Sequence, residues 1–246
     1  MEIRMLPVLL KLGPVSLSAY GVLVAAAYLA GISWLRRRRS EMGLGEDAFW
    51  ELIYWLFAGA LIGGKLAYAA VERDPGRLWS DLRYGFVFYG GLIGALLAGG
   101  ILQRRRSFSY AKLADYFGVA LPLGHAIGRL GCLAAGCCYG RHTDLPWGVA
   151  LAGDPSRHPT QIYESLANAA IAAVVLRVGL PRVQDGRWRR GAAFLLYVAL
   201  YAAARFGVEF LRGDDRGPAW LGLAPSQLAS LCLLAAAGVL SLRRQA

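Results

Sequence analysis

Residues 15–39 read VSLSAYGVLVAAAYLAGISWLRRRR: some twenty residues without a formal charge, followed at once by four arginines. A run of this length matches the ~20 residues a helix needs to cross ~30 Å of hydrocarbon, and the arginines mark the end that stops at a membrane face. Six more stretches of the same kind follow, so spans are predicted over 15–35, 48–71, 84–102, 115–136, 162–180, 191–211 and 223–242. The composition agrees. Residues of the AVILMFWYC set make up 57% of the 246, charged residues only 17%, and mean hydropathy is +0.42. Ordinary globular chains are about 45–50% apolar and about 25% charged. A soluble enzyme, a secreted disulfide scaffold and a disordered tail are thereby excluded. The predicted fold class is all-α: a polytopic protein of seven transmembrane helices forming one integral membrane domain over residues 1–246. Long unalternating runs argue against a barrel, whose strands need about ten residues of alternating character.

The net charge of +11 is placed unevenly. Basic residues crowd Arg36–Arg39, Arg104–Arg106 with Lys112, Arg177–Arg190, and Arg243–Arg244. The intervening connections Glu72–Arg83, Tyr139–Gln161 and Arg212–Gly222 carry equal numbers of each sign. Alternation of basic and balanced loops is the positive-inside pattern. It predicts an outside N-terminus, a cytoplasmic C-terminus, and Arg177–Arg190 as a cytoplasmic loop. Contact with anionic lipid accounts for the arginine runs, so no nucleic-acid partner is expected. Met1–Gly13 lacks the charge-before-apolar order of a secretory signal, and the first span is expected to be retained.

Ionisable groups inside the spans are costly and mark function by default. Here they are Glu51, Lys65, His125, Arg129, Glu164, Arg205 and Glu209. His125, Arg129 and Cys132 share one helix face at i, i+4 and i+7, beside a stripe of Gly124, Gly128 and Gly131. Tyr201, Arg205 and Glu209 form a second polar stripe that Arg212 continues outward. Arg205 and Glu209 can neutralise each other at i,i+4. Arg129 has no acidic residue three or four positions away, which predicts an external anion. A guanidinium fork suits phosphate, and two arginines on different helices suit the phosphodiester of a phospholipid. Lys65 reads as snorkelling, ion-paired or facing that ligand. The glycines Gly63-Gly64 and Gly90-Gly91 with Gly94 read as helix packing or ligand approach, with Tyr89 beside the Gly-Gly step. Before the fifth span, Thr160 reads as an N-cap, Glu164 sits in the first turns, and His158, Gln161 and Tyr163 form a polar cluster.

Cys232, alone in an apolar span, reads as a small core residue. Cys132, Cys137 and Cys138 cluster near Arg129, and four readings stay open: plain packing, a disulfide, a reactive thiolate, or zinc completed by His125, His142 or His158. Paired CxxC spacing is missing, so no metal and no cofactor is expected.

Six collinear motifs resemble those of the prolipoprotein diacylglyceryl transferases, bacterial membrane enzymes of lipoprotein maturation. They are Ala19-Tyr20-Gly21; Gly63-Gly64-Lys65; Phe88-Tyr89-Gly90-Gly91-Leu92-Ile93-Gly94; Gly128-Arg129-Leu130-Gly131 through Gly140-Arg141; Arg157-His158-Pro159-Thr160-Gln161-Ile162-Tyr163-Glu164; and Tyr201 through Arg205 and Glu209 to Arg212. The resemblance implies transfer of a diacylglyceryl group from phosphatidylglycerol to the lipobox cysteine of a prolipoprotein in the bacterial inner (cytoplasmic) membrane. It makes Arg129 and Arg205 the headgroup-binding and catalytic arginines. Tyr20, Tyr89, Tyr201 and Glu209 take further catalytic roles, and Lys65, Gly90, Gly91, His158, Gln161 and Glu164 line the lipid site. This chain departs from the family at Tyr89, where the family has His; at Cys132 and Cys137, where it has Asn and Glu; and at Lys65, where it has Arg. The loop before His158 is also short. Catalysis then rests on the arginine clamp, with Tyr89 or His125 assisting, or the chain is a diverged lipid-handling relative without this activity or with a cysteine-dependent one.

Overall fold

The computed structural model describes residues 2–3, 8–12, 15–73, 76, 85–106, 108–151, 155–214, 220 and 222–243. In chain order the elements are strands β1 (Glu2–Ile3), β2 (Val8–Leu12) and β3 (Val15–Ser18), then helices α1 (Ala19–Arg37), α2 (Arg39–Met42), α3 (Glu46–Glu72), α4 (Phe88–Arg106) and α5 (Tyr110–Ala134). Strand β4 (Ala150–Leu151) and helices α6 (Thr160–Val174), α7 (Leu180–Gln184), α8 (Ala192–Glu209) and α9 (Pro225–Arg243) follow. Six helices among the described residues are long and apolar enough to cross a membrane: Ala19–Arg37, Glu46–Glu72, Tyr110–Ala134, Thr160–Gln184, Ala192–Glu209 and Pro225–Leu242. Helix α4 is long enough, but Gln103–Arg106 make its last turn polar. Leu29, Ile62, Leu97 and Leu166 are each at least 60% exposed. Apolar side chains turned outward in such number suit lipid as the surrounding medium.

Two boundaries and the burial of one cysteine differ from the sequence reading. Val15–Ser18 are a strand paired antiparallel with Val8–Leu12, not the start of a helix. The first helix begins only at Ala19, where the Ser18 hydroxyl accepts the amide of Gly21 at 3.0 Å as an N-cap. The stretch from Arg177, expected as loop, stays helical to Gln184 through a π turn at Val175–Gly179. Its arginines project from a helix whose other side carries the buried Val175, Gly179 and Leu180. Cys232 is exposed on α9 instead of buried, as suits a small apolar residue facing lipid. Residues 77–84, 215–219 and Arg244 lie outside the described residues, so the charge balance of the loops they complete remains a statement about sequence.

The chain forms two compact units. The smaller spans Arg36–Tyr110 and is built on the pairing of α3 with α4. The glycines do the pairing. A Cβ on Gly63 would run into the Gly90 carbonyl, and one on Gly94 into the Gly59 carbonyl. Gly59 and Gly63 on one helix thus meet Gly90 and Gly94 on the other at i,i+4 spacing, backbone against backbone. Gly94→Val is expected to destabilise the protein by about 1–3 kcal/mol, because the obstacle is main chain and cannot rotate away. Gly100, with nothing within 4 Å of its Cβ position among the described residues, provides the control, and Gly100→Ala should be neutral or mildly stabilising. Equal thermal unfolding of the two variants would contradict this packing. At the charged end, Glu46 pairs with Arg36 and Arg39 at 2.7 and 2.8 Å, and Glu51 with Arg106 at 2.8 Å.

The larger unit joins Met1–Leu35 to Ala111–Ala246. Its core gathers Val119, Ile171, Val175 and Ala193, with Trp34, Tyr197 and Tyr201 against them. Asp115 is fully buried in α5 and accepts the amides of Gly191, Ala193 and Phe194 at 2.6, 2.9 and 3.2 Å. A carboxylate from one helix therefore satisfies the otherwise orphaned amides at the start of another. This sets where α8 begins and so the depth of Arg205, three turns on. Asp115→Ala leaves three amides with no acceptor and is expected to cost about 2–3 kcal/mol. Asp115→Asn should cost about half as much, and thermal unfolding in detergent orders the two.

Candidate active site

Three segments of the larger unit converge on one carboxylate. Glu164, in the second turn of α6, has a side chain only 4% exposed. Its Oε2 lies 2.6 Å from Arg129 Nε on α5. Its Oε1 accepts from Arg212 Nη1 at 2.8 Å and lies 3.8 Å from Arg205 Nη1 on α8. Arg205 also contacts Glu209 at 2.6 Å, the i,i+4 pair expected from sequence. Arg212 holds Asp214 in bidentate fashion at 2.8 and 2.7 Å. Three guanidinium groups thus face three carboxylates in a site that excludes most water. The expectation that Arg129 lacks a protein partner is overturned. Its partner arrives from α6, and a search of i±3 and i±4 positions looks along one helix only.

The pairing is incomplete in direction. Arg129 points its Nε–H at His125 Nε2, 3.1 Å away, so the shorter approach to Glu164 is ionic contact rather than a hydrogen bond. Arg205 Nη1 and Nη2, Glu164 Oε2 and Glu209 Oε2 are buried with no hydrogen-bond partner. Nη2 of Arg205 is engaged by Glu209 at 2.6 Å, whereas Nη1, 3.8 Å from Glu164, is a buried donor without a hydrogen-bond partner among the described residues, a rarity in folded proteins. Arg129, at 14% exposure against 9% and 2% for Arg205 and Arg212, is the most accessible of the three.

Around this cluster the structure places the remaining predicted residues of the larger unit. Tyr201 packs its ring 5.5 Å from His125 and 6.0 Å from Tyr197, measured between centroids. Tyr20 lies beside Gly131, whose Cβ position is 3.4 Å from the tyrosine ring. His158 Nδ1 and Tyr163 Oη are 3.3 Å apart, and Trp147 donates to the same phenol at 2.8 Å. Gln161 leaves that cluster and donates to the Cys137 carbonyl at 2.7 Å. Thr160 is not an N-cap: its hydroxyl donates to the Cys138 carbonyl at 2.8 Å, and Pro159 occupies the cap position. In the smaller unit, Tyr89 is exposed on α4, Gly90 packs on Gly63, and a Cβ on Gly91 would lie 3.2 Å from the Ala60 carbonyl. The Lys65 ammonium lies over the rings of Tyr68 and Phe86, 5.8 and 5.5 Å from their centroids.

The Sγ atoms of Cys132, Cys137 and Cys138 all lie within 4.8 Å of one another. The group contains no histidine. Hydrogen bonding from the Cys132 thiol, then the guanidinium groups of Arg212 and Arg129, draw the Cys138 thiol down to about 4, whereas burial pushes Cys137 up. Arg212 is driven upward despite its burial, chiefly by Asp214 and Cys138.

Sequence reasoning passed over Asp214, which orients Arg212, and Asn168, which sits one turn after Glu164 and donates to its carbonyl at 2.7 Å. It also omitted Arg212 from the site. The continuation of the Tyr201–Glu209 stripe was the available signal, and Asn168 at i+4 from Glu164 was another.

A family model described as prolipoprotein diacylglyceryl transferase matches residues 7–243. The phosphatidylglycerol–prolipoprotein diacylglyceryl transferase of Clostridium tetani (strain Massachusetts / E88) is 35% identical over 237 residues, covering 92% of this chain and 93% of its own. Proteins of the same name from Geobacter sulfurreducens and Chromohalobacter salexigens are 33% and 35% identical over 229 and 218 residues. These cover 88% and 85% of this chain and 85% and 80% of their own.

Proposed function

The chain belongs to the prolipoprotein diacylglyceryl transferase family, and from that premise we propose that it moves a diacylglyceryl group from phosphatidylglycerol to the lipobox cysteine of a prolipoprotein. The acceptor thiol gives up its proton to water and its sulfur bonds to the glyceryl carbon as the carbon–oxygen bond to phosphate breaks, and glycerol phosphate leaves with the bonding pair. The observation that carries this reading is the buried convergence of Arg129, Arg205 and Arg212 on Glu164, with Arg205 Nη1 unspent. Negative charge grows on the departing phosphate, and preorganised donors in a water-poor site stabilise such charge most. Arg129 takes the phosphodiester first because it is the most reachable, and Arg205 donates from behind. Glu164 and Glu209 hold the guanidinium planes in place between turnovers, and His125 keeps Arg129 turned inward. Tyr201 buttresses His125, while Tyr20 borders the path of lipid and acceptor. His158 and Gln161 complete the phosphatidylglycerol site within the larger unit.

In the same reading α4 is a seventh crossing, the N-terminal hairpin lies outside, the arginine runs lie on the cytoplasmic face, and the bilayer is the bacterial inner membrane. Balanced charge in the cluster also fits a second reading, a phospholipid-binding relative without chemistry. Purified protein in phosphatidylglycerol vesicles separates the two when offered a lipobox peptide. The expected product is the peptide heavier by one diacylglyceryl group; tight lipid binding without that product would establish the second reading.

A further inference from the structure

The three thiols at the outer end of α5 are held more firmly than packing requires. After Ala134 the chain turns back through Gly136 at φ 67°, and the Cys137 amide donates to the Cys132 carbonyl at 3.1 Å. Cys138 then adopts φ 63°, a left-handed conformation that a side chain with a Cβ enters at a cost of about 1–2 kcal/mol. The buried side chains of Gln161 and Thr160 clamp the carbonyls of Cys137 and Cys138. Backbone strain maintained by specific clamps is characteristic of functional sites, and its result here is three Sγ atoms mutually within 4.8 Å.

We propose that Cys132, Cys137 and Cys138 bind one Zn2+ ion and leave its fourth position open to a thiolate from outside the chain. At Zn–S distances of about 2.3 Å, tetrahedral geometry puts sulfur atoms about 3.8 Å apart, within reach of small side-chain rotations. Sulfur ligands select soft metals over Mg2+ and Ca2+. Three thiolates and Zn2+ carry a net charge of only −1, and Arg129 and Arg212, although paired with carboxylates, lie close enough to act on Cys138. No histidine or carboxylate joins the sulfur group among the described residues, and three protein ligands with one vacant position is the arrangement of zinc sites that handle a substrate. Cys137 is exposed, so an external ligand can approach.

The identity of that ligand rests on the transferase reading: it is the acceptor cysteine of the lipobox. On binding, its thiol releases a proton to water and becomes a thiolate. Its sulfur then bonds to the glyceryl carbon, glycerol phosphate departs with the electron pair of the broken carbon–oxygen bond, and the neutral thioether leaves the metal.

The test uses the full chain, reduced, stripped with chelator and titrated with Zn2+ and, as a coloured substitute, Co2+. We expect one metal ion per chain and thiolate-to-cobalt absorption in the near ultraviolet. Both should vanish in the triple variant Cys132→Ser, Cys137→Ser, Cys138→Ser, and weaken in Cys137→Ser alone, whose exposed position spares the fold. A cysteine-containing lipobox peptide should strengthen the absorption by about a third, as three sulfur ligands become four, and its serine analogue should not. Substoichiometric uptake, uptake unchanged by the substitutions, or an absorption indifferent to the cysteine peptide would overturn the proposal. Lipidation is followed in parallel. Absent lipidation with the metal and peptide responses intact removes the transferase reading and leaves the site standing. Full lipidation by the stripped protein or the triple variant does the reverse.

Discussion

Replacing Glu164 by alanine is expected to destabilise the protein by about 3–5 kcal/mol, lowering Tm by roughly 6–20 °C. The carboxylate is 4% exposed and touches Arg129, Arg205 and Arg212. Without it three buried cations are left with Glu209 and Asp214, and desolvated charge with no counter-ion is among the most costly defects a fold can carry. Glu164→Gln should recover little, since an amide offers an acceptor to Arg212 but no charge to any of the three. A double-mutant cycle makes the prediction sharper. Arg129→Ala removes one of the stranded cations, so Glu164→Ala should cost less in that background, and the two effects should fall short of their sum by at least about 0.5 kcal/mol. Additive unfolding, or a Glu164→Ala variant with unaltered Tm, would show that the three arginines do not share this carboxylate.

Arg129→Ala is expected to lower the transferase rate by about 10²–10³-fold, the usual consequence of removing one preorganised donor from developing negative charge. Stability should change far less than for Glu164, because Glu164 keeps its 2.8 Å hydrogen bond from Arg212. That asymmetry separates a residue that does chemistry from one that holds the site together. Arg129→Lys should lie between, since an ammonium restores charge without the planar fork. On the proposed reading the guanidinium grips the phosphodiester before and during the reaction, so kcat/KM should fall more than kcat. A rate within about threefold of wild type, measured by peptide lipidation at saturating phosphatidylglycerol, would remove Arg129 from the catalytic group.

Much of the helical framework was legible in sequence because lipid leaves few alternatives: backbone groups must be satisfied within a helix, and twenty apolar residues leave a plain trace. Individual ends were less legible. Val15–Ser18 are apolar enough to extend a span, yet pair with Val8–Leu12 because the residues just upstream offer a strand edge. Gln103–Arg106 were excluded from the span and nonetheless complete the helix. In the site, the Arg205–Glu209 pair was readable since both lie on one helix a turn apart. The Arg129–Glu164 contact and the Asp115 cap were not. They join residues 35 and more than 70 positions distant in the chain, and no periodicity records which helices become neighbours.

The amino-acid order alone determined that this chain is a bundle of membrane-length helices bearing buried arginines, since hydrophobic run length and charge placement are local quantities that each segment carries with it. Only the tertiary structure decided that three arginines share one glutamate and that three thiols face one another. A buried charge takes its partner from whatever packing brings within a few ångströms, and that distance is set between helices, not along them.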